Sequence, residues 1–486
     1  MKNLIEKQSH KSLFWFMSGV FFLFYFVQIP LFTSNADVLV YSCRALHNAP
    51  ILKFAFLDER YLLGMAPLPN YHLAHSVILW LVYRMVPVNL ATTIWPSGLI
   101  SAIAAALAVG LTVLICRQLG FSKRKALIVA TLAGIIPSLW YHSLVGEVYA
   151  LQLFAILLFL YFFLQGRQIL AIAVFLFACL VTPLSGLALV FVFLKGSSKN
   201  TMLRVFGVGL AAFVAYMAIY YFIDPGFLAK YAFLRHTVHE PLAWRVYKLA
   251  QYVFINYNFL LIFLLLGLRL LWKEQKKLLL GLTLAALPQI VLVTGLPGFL
   301  KEYGAFQVPL FWLLAFPAGL AIAKLKHIRW GFAAMVGSAL ITTFVWIIPC
   351  QQTGLARQEA GAWLAARVPA KMVIVGDWRS SVGVAIGKYG WGFEEIAGNY
   401  IESTQPTERD LYETKLDSAI IVHYTWPAWR KKLTELSVPG LQIHRYDALE
   451  WFTAGTIEPL YENSAVRVYL WRWSGEDTGA VVGRFD

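Results

Sequence analysis

Eleven stretches of this chain are apolar over lengths close to what a helix needs to cross a bilayer. They are 12–33, 95–116, 126–142, 147–165, 168–182, 184–195, 205–223, 248–270, 278–297, 304–323 and 330–350. A spanning helix needs about 20 mostly apolar residues, because lipid offers its backbone no hydrogen-bond partner. Of the 486 residues, 59% are hydrophobic and 14% charged, and the mean hydropathy is +0.64. Soluble domains carry about 25% charged residues, so most of this chain must face lipid or other apolar helices. The 17 Trp and 23 Tyr suit the membrane–water boundary, where a ring is buried and its polar tip stays wet. The first run is too long for a signal peptide and lacks a small-residue cleavage site, so it reads as a first helix. The two runs over 168–195 are short and meet at Thr182-Pro183-Leu184-Ser185-Gly186, as two short helices or one broken hairpin.

Charge then orients the spans. The formal net charge is +15, which in a soluble domain would suggest nucleic acid. Here the basic residues sit in short loops between apolar runs, and no nucleic-acid partner is expected. The clusters are Lys2, Lys7 and Lys11; Arg117 and Lys123 to Lys125; Arg167; Lys195, Lys199 and Arg204; Arg269, Lys273, Lys276 and Lys277; and Lys324, Lys326 and Arg329. With the spans above, all of them fall on one side, which the positive-inside rule makes the cytoplasm. Residues 71–87 are apolar but carry His72, His75 and Arg84. A full crossing there would put Arg117 to Lys125 outside. The segment therefore reads as an amphipathic or re-entrant helix on the outer face. The count is then about eleven crossings, with the C-terminus outside. The four cysteines show neither metal-ligand nor redox spacing.

The outer side collects the unusual polar residues. The loop over 34–70 holds Asp37, Arg44, His47, Lys53, Asp58, Glu59 and Arg60, and runs into Pro67, Pro69, His72 and His75. A short turn carries His142, Gly146, Glu147 and Tyr149. The loop over 224–247 carries Arg235, His236, His239, Glu240 and Arg245, and the turn before 304 carries Lys301, Glu302 and Tyr303. A carboxylate near the membrane surface is costly unless solvated, paired or in use. Outer acids facing outer bases therefore predict a polar cavity at the boundary.

Past residue 350 the composition changes. Lys371–Gly376, Ser418–His423 and Ala465–Leu470 read as strands, and 355–366, 378–388 and 427–436 as helices. The expected architecture is an all-α polytopic membrane domain over 1–350 and a small α/β extracytoplasmic domain over 351–486. Asp377 and His423 stand at strand ends, where residues more often cap turns than bind ligands.

Several local features resemble the GT-C superfamily of membrane glycosyltransferases, above all the protein-O-mannosyltransferase-like and aminoarabinose transferase-like proteins. Ser34-Asn35-Ala36-Asp37 resembles the acidic start of that group's first outer loop. Ala66-Pro67-Leu68-Pro69-Asn70-Tyr71-His72 resembles its Pro-rich segment, without the usual Pro-Pro-Gly. Gly146-Glu147-Val148-Tyr149-Ala150-Leu151 resembles its Glu-x-Tyr-Ala motif, and Val368–Asp377 the start of its outer domain.

The resemblance implies transfer of a sugar from a polyprenyl-phosphate-linked donor to a lipid, glycan or protein acceptor at the outer face of a bacterial inner membrane. It implies Asp37 as the base and Glu147 as a second acid that positions the acceptor or binds a metal, a divalent ion being the only cofactor in view. Lys301, Arg235 and Arg245 would face the lipid phosphate. Asp58, Glu59, His72, His75, Tyr149, His236, Glu302 and Tyr303 would line the substrate site. The rival readings are a transporter or flippase, which predicts inverted repeats and charges inside spans, and a non-catalytic assembly subunit. No clear internal repeat is visible.

Overall fold

The structure is a computed structural model. It describes residues 9–29, 38, 72–86, 95–194, 199–223, 241–295, 305–367, 374–376, 400–402, 418–424, 455–464 and 466–473. The chain divides into two compact units: Met1–Ile29, Pro69–Ile78 and Pro96–Ile347 form one, and Pro30–Leu68, Leu79–Trp95 and Ile348–Asp486 the other.

The first unit is helical. Its elements begin with α1 (His10–Phe26), the start of α2 (Leu73–Met85), α3 (Trp95–Gln118), α4 (Lys123–Ile135), α5 (Pro137–Leu144), α6 (Val148–Leu164) and α7 (Gln168–Val181). A 3₁₀ helix over Pro183–Leu194 follows, then α8 (Lys199–Ile223), α9 (Leu242–Tyr257), α10 (Leu261–Glu274), α11 (Lys276–Gly295), α12 (Val308–Lys324) and α13 (Ile328–Thr342).

Among the described residues, four helical stretches are long and apolar enough to cross a membrane: Trp95–Gln118, Asn200–Ile219, Leu242–Glu274 and Ile328–Val345. A fifth qualifies if α4 and α5, bent by 61°, count as one broken span. Five more apolar helices are shorter. The protein is an integral membrane protein, but one expected single span, 126–142, is built from two pieces. The expected 126–142 span breaks because Pro137 has no N–H to continue α4 and clashes with the preceding turn. The expected 248–270 span lies within Leu242–Glu274, which continues past a local irregularity at Asn258, where φ is 28°. The 168–195 stretch is an α-helix followed by a 3₁₀ helix, joined at Thr182.

α3 runs through the interior, with 72% of its apolar window buried. Its sequence explains this: Ser97, Gly98, Ser101, Ala102, Ala105, Ala106 and Gly110 are small and buried, and small residues let helix backbones approach closely. A Cβ at Gly110 would strike Ser18 and Phe14 of α1, and one at Gly98 would strike Ile29. α1 and α3 are therefore antiparallel neighbours. On another side, Trp312 Nε1 of α12 donates to Thr112 Oγ1 at 2.8 Å. α10 and α12 meet so closely that a Cβ at Gly267 would run into the Pro317 carbonyl.

Among the described residues, Arg117, Lys123, Lys273, Lys276, Lys277 and Lys324 gather at one end of this unit. α3 stops at Gly120, which adopts φ +86° while Phe121 N–H closes onto the Cys116 carbonyl at 2.9 Å. Ser122 then caps α4, whose first turn is Lys123-Arg124-Lys125. His10 lies near Arg117 and Lys123, and burial followed by those two charges lowers its pKa. Gln118, Leu119, Leu194 and residues 273–278 line one cleft of about 550 Å³. Lys324 pairs with Glu274.

The second unit carries α14 (Ile348–Arg367) and five strands: β1 (Ile374–Gly376), β2 (Tyr400–Glu402), β3 (Ser418–Tyr424), β4 (Gly455–Glu462) and β5 (Val466–Trp473). The sheet order is β2-β1-β3-β5-β4. β1 pairs parallel with β2 and β3, whereas β5 is antiparallel to both β3 and β4. Ala356, Ala360 and Leu364, four residues apart on one face of α14, share a core with Ile420, Val466, Val468 and Leu470. Asn463 ties the β4–β5 turn to that helix: its Oδ1 accepts from Val466 N at 2.9 Å and its Nδ2 donates to the Ala356 carbonyl at 2.6 Å. Three strands and the 355–366 helix match the sequence reading. β2 and β4 were not expected. The expected helices over 378–388 and 427–436, and Asp377, lie outside the described residues.

Candidate active site

At the end of α3 opposite Arg117, the chain from α5 to α6 is buried polar structure. Ser101 and Arg117 are sixteen residues apart, so roughly 24 Å of helix separates this region from the basic end. All eight residues of α5 are buried. Its N-terminus has no cap of its own, because Ile136 precedes Pro137. Asn256 of α9 supplies one, accepting from Ser138 N at 2.9 Å while its Nδ2 donates to the Tyr252 carbonyl at 2.8 Å.

α5 ends at a tight turn. Gly146 has φ +80°, and a Cβ there would meet Ser97 Oγ at 2.6 Å. Only glycine satisfies both the left-handed backbone and the close approach of α3. The turn delivers Glu147 to the start of α6 in the N-cap position, yet its side chain makes no capping hydrogen bond. Ser101 Oγ donates to the Glu147 backbone carbonyl at 3.1 Å and fixes the residue from α3. The carboxylate turns back instead: Glu147 Oε2 lies 3.0 Å from His142 Nδ1, with the two side chains only 7% and 2% exposed.

Aromatic rings enclose the pair. Tyr141 and Tyr149 meet the His142 ring edge-on, with centroids at 5.0 and 4.9 Å, and Phe306 packs on Tyr149 at 5.3 Å. His75, from α2, is buried against the Gly146 backbone. Burial first, and the nearby His72 second, push its pKa down to about 3. His72 sits just ahead of α2, with its Nδ1 2.9 Å from the Val181 carbonyl at the end of α7.

Four of the expected site residues, His72, His75, Glu147 and Tyr149, thus stand around one turn. Arg245 is half-buried in the first turn of α9, eleven residues or roughly 16 Å of helix before Asn256. Asp37, Asp58, Glu59, Arg235, His236, Lys301, Glu302 and Tyr303 lie outside the described residues. His142 and Asn256 were not singled out as site residues. A histidine five residues before the Glu-x-Tyr-Ala glutamate, across a glycine, was the available signal for the first. Nothing local marks the second. Among the described residues no three His, Cys, Asp or Glu side chains come together.

The fold is GT-C-like. Its similarity to solved structures runs over almost the whole length. ArnT from Cupriavidus metallidurans in the apo state matches with a TM-score of 0.58 and 13% identity, covering 94% of this chain and 97% of that one. ArnT from the same organism bound to undecaprenyl phosphate matches at 0.57 and 12% identity, with the same coverage. The arabinofuranosyltransferase AftD from Mycobacteria matches at 0.51 and 12% identity over 97% of this chain, which spans 40% of AftD. No protein-family model matches the sequence, and no curated protein matches it.

Proposed function

We propose that the protein is a glycosyltransferase that moves a sugar from a polyprenyl-phosphate-linked donor to an acceptor hydroxyl on the outer face of a bacterial inner membrane. The observation that carries this reading is the match over 94% of the chain to a fold whose ArnT representative is bound to undecaprenyl phosphate. The buried histidine–carboxylate pair at the end of α3 away from the basic loops supports it. A binding-only subunit has no need to bury a carboxylate among aromatic rings.

In this reading the acceptor oxygen attacks the anomeric carbon, the bond from that carbon to phosphate breaks, and polyprenyl phosphate leaves with the bonding electrons. The acceptor hydroxyl is a weak nucleophile, so a carboxylate must take its proton as the new bond forms. Asp37 is the proposed base, with Glu147 positioning the acceptor. Charge grows on the departing phosphate, and cationic donors stabilise it; Lys301, Arg235 and Arg245 are the proposed donors. Asp58, Glu59, His236, Glu302 and Tyr303 complete the substrate-facing set with His72, His75 and Tyr149. The basic end faces the cytoplasm, α2 stays on the outer side, and the 351–486 domain is extracytoplasmic.

The test is release of polyprenyl phosphate from labelled polyprenyl-phosphate sugars in proteoliposomes. Transfer to an added acceptor, dependent on the protein, is the expected result. Movement of intact lipid-linked sugar across the bilayer without release would point to the flippase instead. Cysteine labelling in the tail should succeed from outside only; labelling from the cytosolic side would overturn the orientation.

A further inference from the structure

We infer that His142 is a positioning residue that holds the Glu147 carboxylate in its working orientation, so that the two act as one unit in the reaction. The inference rests on the glycosyltransferase reading and deepens it.

Among the described residues, a helix cap and a brace are two structural roles open to Glu147, and the geometry argues against both. An acid at the N-cap of a helix ordinarily accepts from the first free backbone N–H groups; this one makes no such bond. A brace joining α5 to α6 is the other. Residues 142 and 147 are only five apart, and the backbone between them is already set by Gly146 and by the Ser101 bond to the Glu147 carbonyl. A brace there constrains almost nothing further. Taking a carboxylate out of water, by contrast, is expensive. A buried pair that neither caps nor braces is suited to directing what the carboxylate does.

Three features fix His142 for that task. α5 is buried throughout and is held at its N-terminus by Asn256. The ring is clamped edge-on between Tyr141 and Tyr149. Its Nδ1 stands 3.0 Å from Glu147 Oε2. A residue so confined directs the carboxylate without meeting substrate, as a second ring of contacts does around other reactive groups.

The experiment uses the full-length protein in proteoliposomes, with a polyprenyl-phosphate sugar as donor, and compares Glu147→Gln, His142→Phe, His142→Gln and the Glu147→Gln/His142→Phe double variant. Phe keeps the ring packing but has no N–H, and Gln keeps a donor. Expected is a fall in kcat of about 10²-fold for Glu147→Gln and a comparable fall for His142→Phe. KM for the donor should stay within about twofold, His142→Gln should recover part of the loss, and the double variant should be no slower than the slower single one. A purely structural role would instead lower the fraction of folded protein and leave kcat per folded molecule unchanged. Losses that multiply in the double variant, or a folded His142→Phe at wild-type kcat, overturn the inference. If His142→Phe does not fold, His142→Gln decides: wild-type kcat in a background where Glu147→Gln is impaired overturns it. Absence of wild-type turnover overturns both this inference and the proposed function, whereas wild-type turnover with an unaffected His142→Phe overturns the positioning role alone.

Discussion

The two ends of α3 handle charge in opposite ways. At the Arg117 end, Arg124 in the first turn of α4 is exposed and its neighbours Lys123 and Lys125 are half-buried, and the Lys324–Glu274 pair keeps 38% and 46% of its side-chain surface in water. At the Ser97–Ser101 end, a carboxylate and two histidines are almost wholly buried. Solvated charges cost little and orient the protein in the membrane. Buried ones cost folding energy, and they persist where the site needs them. The basic end is what any polytopic membrane protein requires. The other end is particular to this one.

That contrast can be broken by substitution. The largest effect is expected at Asp37: Asp37→Asn should lower sugar transfer by about 10²–10⁴-fold, since an amide cannot take the acceptor's proton. Asn caps a helix as well as Asp does, so detergent-solubilised stability should be unchanged. Turnover and a thermal midpoint measured together separate a base from a cap.

Glu147→Ala is the next test. It leaves the buried His142 ring without its partner, and orphaning a buried polar group costs about 1–3 kcal/mol. Chemical unfolding in detergent reads this; a loss below about 1 kcal/mol would mean that water already reaches the pair.

His75 gives a pH signature. Its folded pKa, about 3, lies below the ordinary 6.5, so the folded protein keeps the ring neutral while the unfolded chain protonates it. Below about pH 6.5 the unfolded state binds more protons, and stability must fall, by at most about 1.4 kcal/mol per pH unit for this group. The fall should continue toward pH 3. His75→Phe should flatten the profile between pH 6.5 and 4.5; an unchanged slope would assign the acid sensitivity elsewhere.

The smallest effect is expected at the basic end. Lys324→Ala or Glu274→Ala should change stability by less than about 1 kcal/mol, because both side chains are partly solvated and salt screens them. A larger loss would show that this end, too, is built on buried charge.

The sequence was legible where a single physical rule acts along the chain. Apolar runs showed most of the apolar helices. Short continuous apolar runs showed β1 and β3, and alternation of apolar residues showed β5. β4 was harder to see because Pro459 breaks its ladder and the register shifts between Pro459 and Tyr461. β2 is three residues long, too short for any period to register. At the site, Glu147 and Tyr149 stood out by their motif, while His142 looked like one more loop histidine.

What the sequence alone determined was therefore coarse: that the chain is an integral membrane protein rich in apolar helices, and that strands appear past residue 370. Hydrophobicity and charge are properties of single residues, and they survive without any knowledge of neighbours. What only tertiary structure decided was which polar groups are buried together. Asn256 caps a helix 118 residues away in sequence, and Ser101 fixes Glu147 from 46 residues away. His75 reaches the Gly146 backbone from a third segment of the chain. Such partnerships depend on where the interior closes, because a buried polar group must find its partner in space and no local pattern of residues records which one that will be.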